Sequence, residues 1–107
     1  MSNVAIIQYE VRPEAADENQ RLIEAVMSEL NDQDPGGLRY VAFRLDDGVT
    51  FVHLVVTEDA ETPLTGSSAF TSFQQGFADR AVPGTLSRRS ATAVGSYGLS
   101  PAVAQRP

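Results

Sequence analysis

Three side chains of this 107-residue chain stand out for what they can do to a proton: His53, the only histidine, together with Tyr9 and Asn19. Imidazole is the side chain whose ordinary pKa, about 6.5, makes it a proton acceptor near neutrality. A phenol hydroxyl and a carboxamide each both donate and accept hydrogen bonds. Other chemistries are excluded by inventory. Without cysteine there is no thiolate nucleophile and no disulfide. With one histidine a zinc site would have to draw its other ligands from carboxylates, and the acids cluster in loops away from His53, so no metal is expected. No glycine-rich loop joins a strand to a helix and no serine sits in a nucleophile elbow, which removes nucleotide-binding and hydrolase readings. A lone buried histidine is more often a hydrogen-bonded core residue than a catalyst, so the elements that position it must decide.

His53 lies in the run Thr50-Phe51-Val52-His53-Leu54-Val55-Val56-Thr57. Alternation sends Phe51, His53 and Val55 one way and Val52, Leu54 and Val56 the other, so the strand is apolar on both faces and central in its sheet. A first strand over 4–11 sets Ala5, Ile7, Tyr9 and Val11 against the mixed set Val4, Ile6, Gln8 and Glu10. A helix over 14–30 follows, with Leu22, Ile23, Val26, Met27 and Leu30 at helical spacing and Asn19 beside that stripe. Asp34-Pro35-Gly36-Gly37 ends it. The next strand, 38–45, has Tyr40 and Ala42 on one side and Val41, Phe43 and Leu45 on the other, and Asp47-Gly48 predicts a type I′ hairpin into the central strand. After a loop over 58–66, Ser67 or Ser68 caps a shorter helix whose stripe of Phe70, Phe73 and Phe77 is a packing face, weakened at Gly76. A loop over 79–85 leads to a last strand over 88–97, and 98–107 reads as a tail.

Strand, helix, strand, strand, helix, strand is the α+β, ferredoxin-like βαββαβ order, a four-stranded antiparallel sheet with both helices on one face, in a single domain over 1–97. The strand apolar on both faces, and Val41, Phe43 and Leu45 beside it, call for a cover on the other face. A second copy of the sheet supplies one, and a homodimer is expected. Fourteen acids against eight bases give a formal charge of −6, which argues against nucleic acid and anionic membrane surfaces as partners. Arg88-Arg89 reads as a solvated strand end. The absence of cysteine, of an amino-terminal leader pattern and of a long apolar run makes a soluble, cytoplasmic protein the expectation.

Tyr9-Glu10-Val11-Arg12-Pro13, Pro35-Gly36-Gly37-Leu38-Arg39-Tyr40 and Ser68-Ala69-Phe70-x-x-Phe73 resemble the dimeric α+β barrel proteins of the antibiotic biosynthesis monooxygenase type, over about residues 4–97. The resemblance implies a dimeric barrel and a ligand cavity between helices and sheet. It further implies a cofactor-independent oxygenation of an aromatic or polyphenolic substrate, with His53 as the base, Tyr9 and Asn19 as donors and Phe73 against the ligand. No cofactor is then expected. The chain lacks the tryptophan common in such cavities, and its second helix lacks the histidine of the haem-degrading branch. The competing reading is a non-catalytic module that binds a small ligand or fills the cavity with side chains.

Overall fold

The computed structural model describes residues 3–34, 36–57, 67–95 and 97. The chain folds as β1 (Asn3–Glu10), a 3-10 turn (Pro13–Ala15), α1 (Ala16–Gln33), β2 (Leu38–Arg44), β3 (Thr50–Thr57), α2 (Ser68–Gln75), α3 (Phe77–Arg80) and β4 (Ser87–Ala91). The strands form one antiparallel sheet in the order β2-β3-β1-β4, so the architecture is ferredoxin-like α+β and the two-sided apolar strand is central. Residues opposite one another share a face. Tyr9 pairs with Phe51, Ile7 with His53, His53 with Ala42 and Tyr40 with Val55. His53 therefore faces the helices between two tyrosines, each one diagonal step away on a neighbouring strand.

The core forms where this face meets α1 and α2, from Tyr9, Val11, Ala16, Ile23, Val26, Phe51 and Phe73. The helices are tied to each other by Glu29 on α1, whose carboxylate accepts from the Ser67 and Ser68 hydroxyls and from the Ala69 N–H. Ser67 is the N-cap of α2 and accepts from Phe70 N–H at 3.0 Å. The opposite face of the sheet carries Ile6, Val41, Phe43 and Leu45, all exposed, Phe43 by 52%.

Several boundaries differ from expectation for local reasons. α1 runs three residues past Leu30 because Asn31, Asp32 and Gln33 contain no breaker, and it stops at Asp34, which takes a left-handed φ of 48° while its N–H bonds Leu30 O at 2.7 Å. The hairpin after β2 is not type I′, which requires positive φ at both central residues; only Gly48 has it, at 81°. Instead Gly48 N–H bonds back to Leu45 O, and the Asp47 carboxylate accepts from the Val49 and Thr50 backbone and the Thr50 hydroxyl. A fourth helical turn, α3, occupies 77–80 where the loop was expected to begin at 79. β4 ends at Ala91, because its partner β1 has almost reached its own end at Val4. The tail over 98–107 lies outside the described residues.

With Phe51 1% exposed and Val94 98% exposed, Phe51→Ala is expected to lower stability in urea by roughly 3–5 kcal/mol and Val94→Ala to stay within about 0.5. Equal midpoints would show that β3 is not packed as described.

Candidate functional site

A chain of hydrogen bonds runs through the interior from α3 to β2. Arg80 Nε donates to Asn19 Oδ1 at 2.9 Å, Asn19 Nδ2 donates to the Tyr9 hydroxyl at 3.0 Å, and the Tyr9 hydroxyl meets His53 Nε2 at 2.8 Å. On the other side of the ring, His53 Nδ1 meets the Tyr40 hydroxyl at 2.6 Å. Asn19 is fully buried, Tyr9 and His53 nearly so, and Tyr40 half-buried. Among the described residues no buried side-chain polar atom lacks a partner.

Local sequence explains each placement. Strand parity puts Tyr9 and Tyr40 on the face of His53, and helical spacing sets Asn19 on the buried side of α1 with Ile23 and Val26. Arg80 arrives because the second helix breaks at Gly76 and restarts as α3. A Cβ at position 76 would lie 2.9 Å from an Arg80 guanidinium nitrogen, so glycine leaves the space that this cation fills. Arg80 also donates to Phe73 O at 2.7 Å and lies over the Phe73 ring at 5.0 Å, a cation on a π-face. Burial disfavours its charged form, and the negative charges of Glu18 and Asp79 act against that.

Burial has the same consequence at each titratable member: the neutral form is favoured. Desolvation pushes the His53 pKa down to about 4. The Tyr9 pKa is pushed up to about 12 by burial, against the lowering effect of the Asn19 hydrogen bond and the Arg80 charge. Burial raises Tyr40 as well, reinforced by Tyr9. At neutral pH the chain therefore consists of a neutral imidazole, two phenols and one cation.

His53 and Tyr40 also border a cleft of about 670 Å³, whose walls include Phe70, Phe73, Phe77 and Arg88. That volume suits a small ligand. A lining of aromatic side chains with a His–Tyr pair among them suits a flat molecule carrying an oxygen. A second cleft, about 720 Å³, lies between α1 and β2 and touches the far side of Tyr40, but neither His53 nor any α2 residue lines it. Among the described residues no three His, Cys, Asp or Glu side chains are grouped to hold a metal.

Of the residues the sequence singles out, His53 and Phe73 border the cleft, with ring centroids 5.8 Å apart. Tyr9 and Asn19 stand behind His53, and the hydrogen bonds they make to it and to Arg80 are internal. Sequence reasoning did not single out Tyr40 or Arg80. Tyr40 was legible, since strand parity puts it on the inner side with Ala42, whereas nothing in the sequence aims Arg80 inward. Arg88 and Arg89 are both exposed on β4, as a solvated strand end should be, but alternation splits the pair, and Arg88, opposite Ile7, also borders the cleft.

The depressed His53 pKa fixes a pH dependence. Between about 6.5 and about 4 the unfolded chain binds a proton that the native state does not, so stability is complete above 6.5 and falls by roughly 3 kcal/mol as the pH approaches 4. Glu29 and Asp47, lowered from 4.5 and 3.8, act only further down. His53→Gln is expected to flatten urea midpoints between pH 6.5 and 4.5, and an unchanged slope in that variant would contradict the buried neutral imidazole.

The likeness to known proteins agrees with this architecture. Residues 3–78 match the family model for antibiotic biosynthesis monooxygenase, while the sequence matches none of the curated proteins. A Bacteroides thetaiotaomicron structure named for the same family superposes with a TM-score of 0.74 at 17% identity, covering 87% of this chain and 90% of that one. Rv0793 of Mycobacterium tuberculosis gives 0.68 at 15%, covering 90% and 98%. An alanine variant of SnoaB from Streptomyces nogalater, a cofactor-independent oxygenase, gives 0.64 at 15%, covering 89% and 95%. At these identities the structures speak for the fold, and the family model spans well over half of the sequence; this chain belongs to the antibiotic biosynthesis monooxygenase family.

Proposed function

We propose that the cleft beside His53 receives a small planar phenol or polyphenol and that the protein promotes its oxygenation by O2 without a cofactor. The observation that carries this reading is the hydrogen-bonded pair of His53 and Tyr40 lining a cleft with Phe70, Phe73 and Phe77 in a chain of this family. An ionised phenol is itself the reductant. In its conversion to a quinone the phenol loses its O–H hydrogen and one ring C–H hydrogen; one oxygen atom enters the ring and the other leaves as water, so the substrate supplies all four electrons. The protein's share is to bind, orient and stabilise the anion. In this reading His53 and Tyr40 touch the ligand, Phe73 packs on its ring, Arg88 adds positive charge, and Tyr9 and Asn19 hold His53 in place.

One observation favours a second reading, a small-ligand-binding module without catalysis. An imidazole with a pKa of about 4, engaged at both nitrogens, is a weak base. A panel of phenols and quinols separates the two by oxygen uptake and melting temperature. Uptake that His53→Ala abolishes is the expected result. A melting shift without uptake would establish the binding module, and neither response would overturn both readings.

The exposed face of the sheet belongs to the same proposal. Ile6, Leu54 and Val41 form one cross-strand row, flanked by Phe43 and Leu45, and a second copy packing there would close a dimeric barrel. Sedimentation at micromolar concentration is expected to give about twice the 11.5 kDa chain mass, reduced to the single mass by Phe43→Asp. A monomeric native protein would contradict it.

A further inference from the structure

We infer that Arg80, acting through Asn19 and Tyr9, fixes His53 as the Nδ1–H tautomer and so turns the Tyr40 hydroxyl into a hydrogen-bond donor facing the cleft, selecting ligands that present an anionic or carbonyl oxygen there.

The direction of the chain is set at its far end. A guanidinium can only donate. Arg80 Nε therefore takes the carbonyl oxygen of Asn19 at 2.9 Å, and the amide has no choice but to turn its NH2 toward Tyr9. The Tyr9 oxygen, accepting from Asn19, has two described neighbours, Asn19 and His53. Its own hydrogen has one acceptor within reach, His53 Nε2 at 2.8 Å. The reverse arrangement, with Nε2–H donating to Tyr9, leaves a buried O–H without an acceptor, at a cost of roughly 1–3 kcal/mol. With Nε2 accepting, the neutral ring carries its hydrogen on Nδ1 and donates it to the Tyr40 oxygen at 2.6 Å. That oxygen is then occupied by a donor, and the Tyr40 hydrogen is directed away from His53.

Tyr40 is half-buried and borders the cleft, and among the described residues its hydroxyl meets no group except His53. A ligand atom beside it thus encounters an O–H polarised by a chain that begins at a fixed positive charge 61 residues beyond Asn19. An oxyanion or carbonyl oxygen satisfies that donor, and an N–H or O–H hydrogen presented there would oppose it. Arg80 acts as a positioning residue, since it touches neither His53 nor the cleft. The tautomer does not depend on the proposed function; the ligand preference rests on it.

Both halves are measurable. In protein labelled with 15N at histidine, the single imidazole gives one pair of nitrogen resonances, and at pH 8 the wild type is expected to show a protonated Nδ1 and an unprotonated Nε2. Asn19→Asp should reverse the chain: the introduced carboxylate accepts from both Arg80 and the Tyr9 hydroxyl, Tyr9 accepts from Nε2–H, and Tyr40 donates to Nδ1. The tautomer should switch to Nε2–H. In parallel, 4-nitrophenolate and 4-nitroaniline serve as matched probes, and the wild type is expected to favour the phenolate by about tenfold or more, a preference lost in the variant. A wild-type Nε2–H ring, which needs no variant to detect, would overturn the proposal, as would a tautomer unmoved by Asn19→Asp. A tautomer that switches while neither probe binds would overturn the ligand preference and the reading of the cleft on which it rests.

Discussion

An imidazole 3% exposed must have both nitrogens answered, and most of the described structure near it is arranged to answer them. His53 comes from β3, Tyr9 from β1, Tyr40 from β2, Asn19 from α1 and Arg80 from α3. Five elements thus contribute one polar group each. A slip of one residue in either strand pairing would turn a tyrosine to the other face and leave a ring nitrogen alone. The chain therefore specifies register as well as chemistry. Its aromatic surroundings reinforce the same geometry: Tyr9 meets Phe77 edge-on at 4.8 Å and stacks with Phe51 at 5.9 Å.

The buried cation is the costly member. Arg80 is 5% exposed, and among the described residues no carboxylate forms a direct ion pair with it. It is accommodated by the Asn19 and Phe73 carbonyl oxygens, by the Phe73 ring beneath it and by the more distant charges of Glu18 and Asp79. Hydrophobic replacement at such positions is often tolerated or even stabilising when the whole polar group is removed. Its retention here has a different physical rationale, since a donor-only group imposes one direction on everything hydrogen-bonded beyond it.

Much of this was legible in the sequence. The two-sided apolar run of β3 announced a central strand, but alternation left open which of its two faces meets Tyr9, and only the observed pairing of Tyr9 with Phe51 puts His53 there. Periodicity set Asn19 inward. What parity could not convey was the diagonal offset that puts Tyr9 and Tyr40 at opposite nitrogens of one ring, because that depends on the pairing register. Arg80 was illegible for another reason: a charged residue in a loop-like stretch normally faces water, and only the break at Gly76 turns it inward. The uncovered row Ile6, Leu54, Val41 was legible as a face needing a cover. Arg88 was passed over because a basic pair at a strand end is most often solvated, and only the pairing with Ile7 shows that it also borders the cleft.

Whether the interior chain behaves as one unit is most directly tested by a double-mutant cycle between Asn19→Ala and His53→Gln, two residues joined through Tyr9 and not hydrogen-bonded to each other. Measured by urea unfolding at pH 7.5, a coupled chain predicts that the two losses differ from additivity by roughly 0.5–3 kcal/mol. Losses that add to within about 0.3 kcal/mol would show that Asn19 and His53 are independent, and that the network is a set of separate contacts.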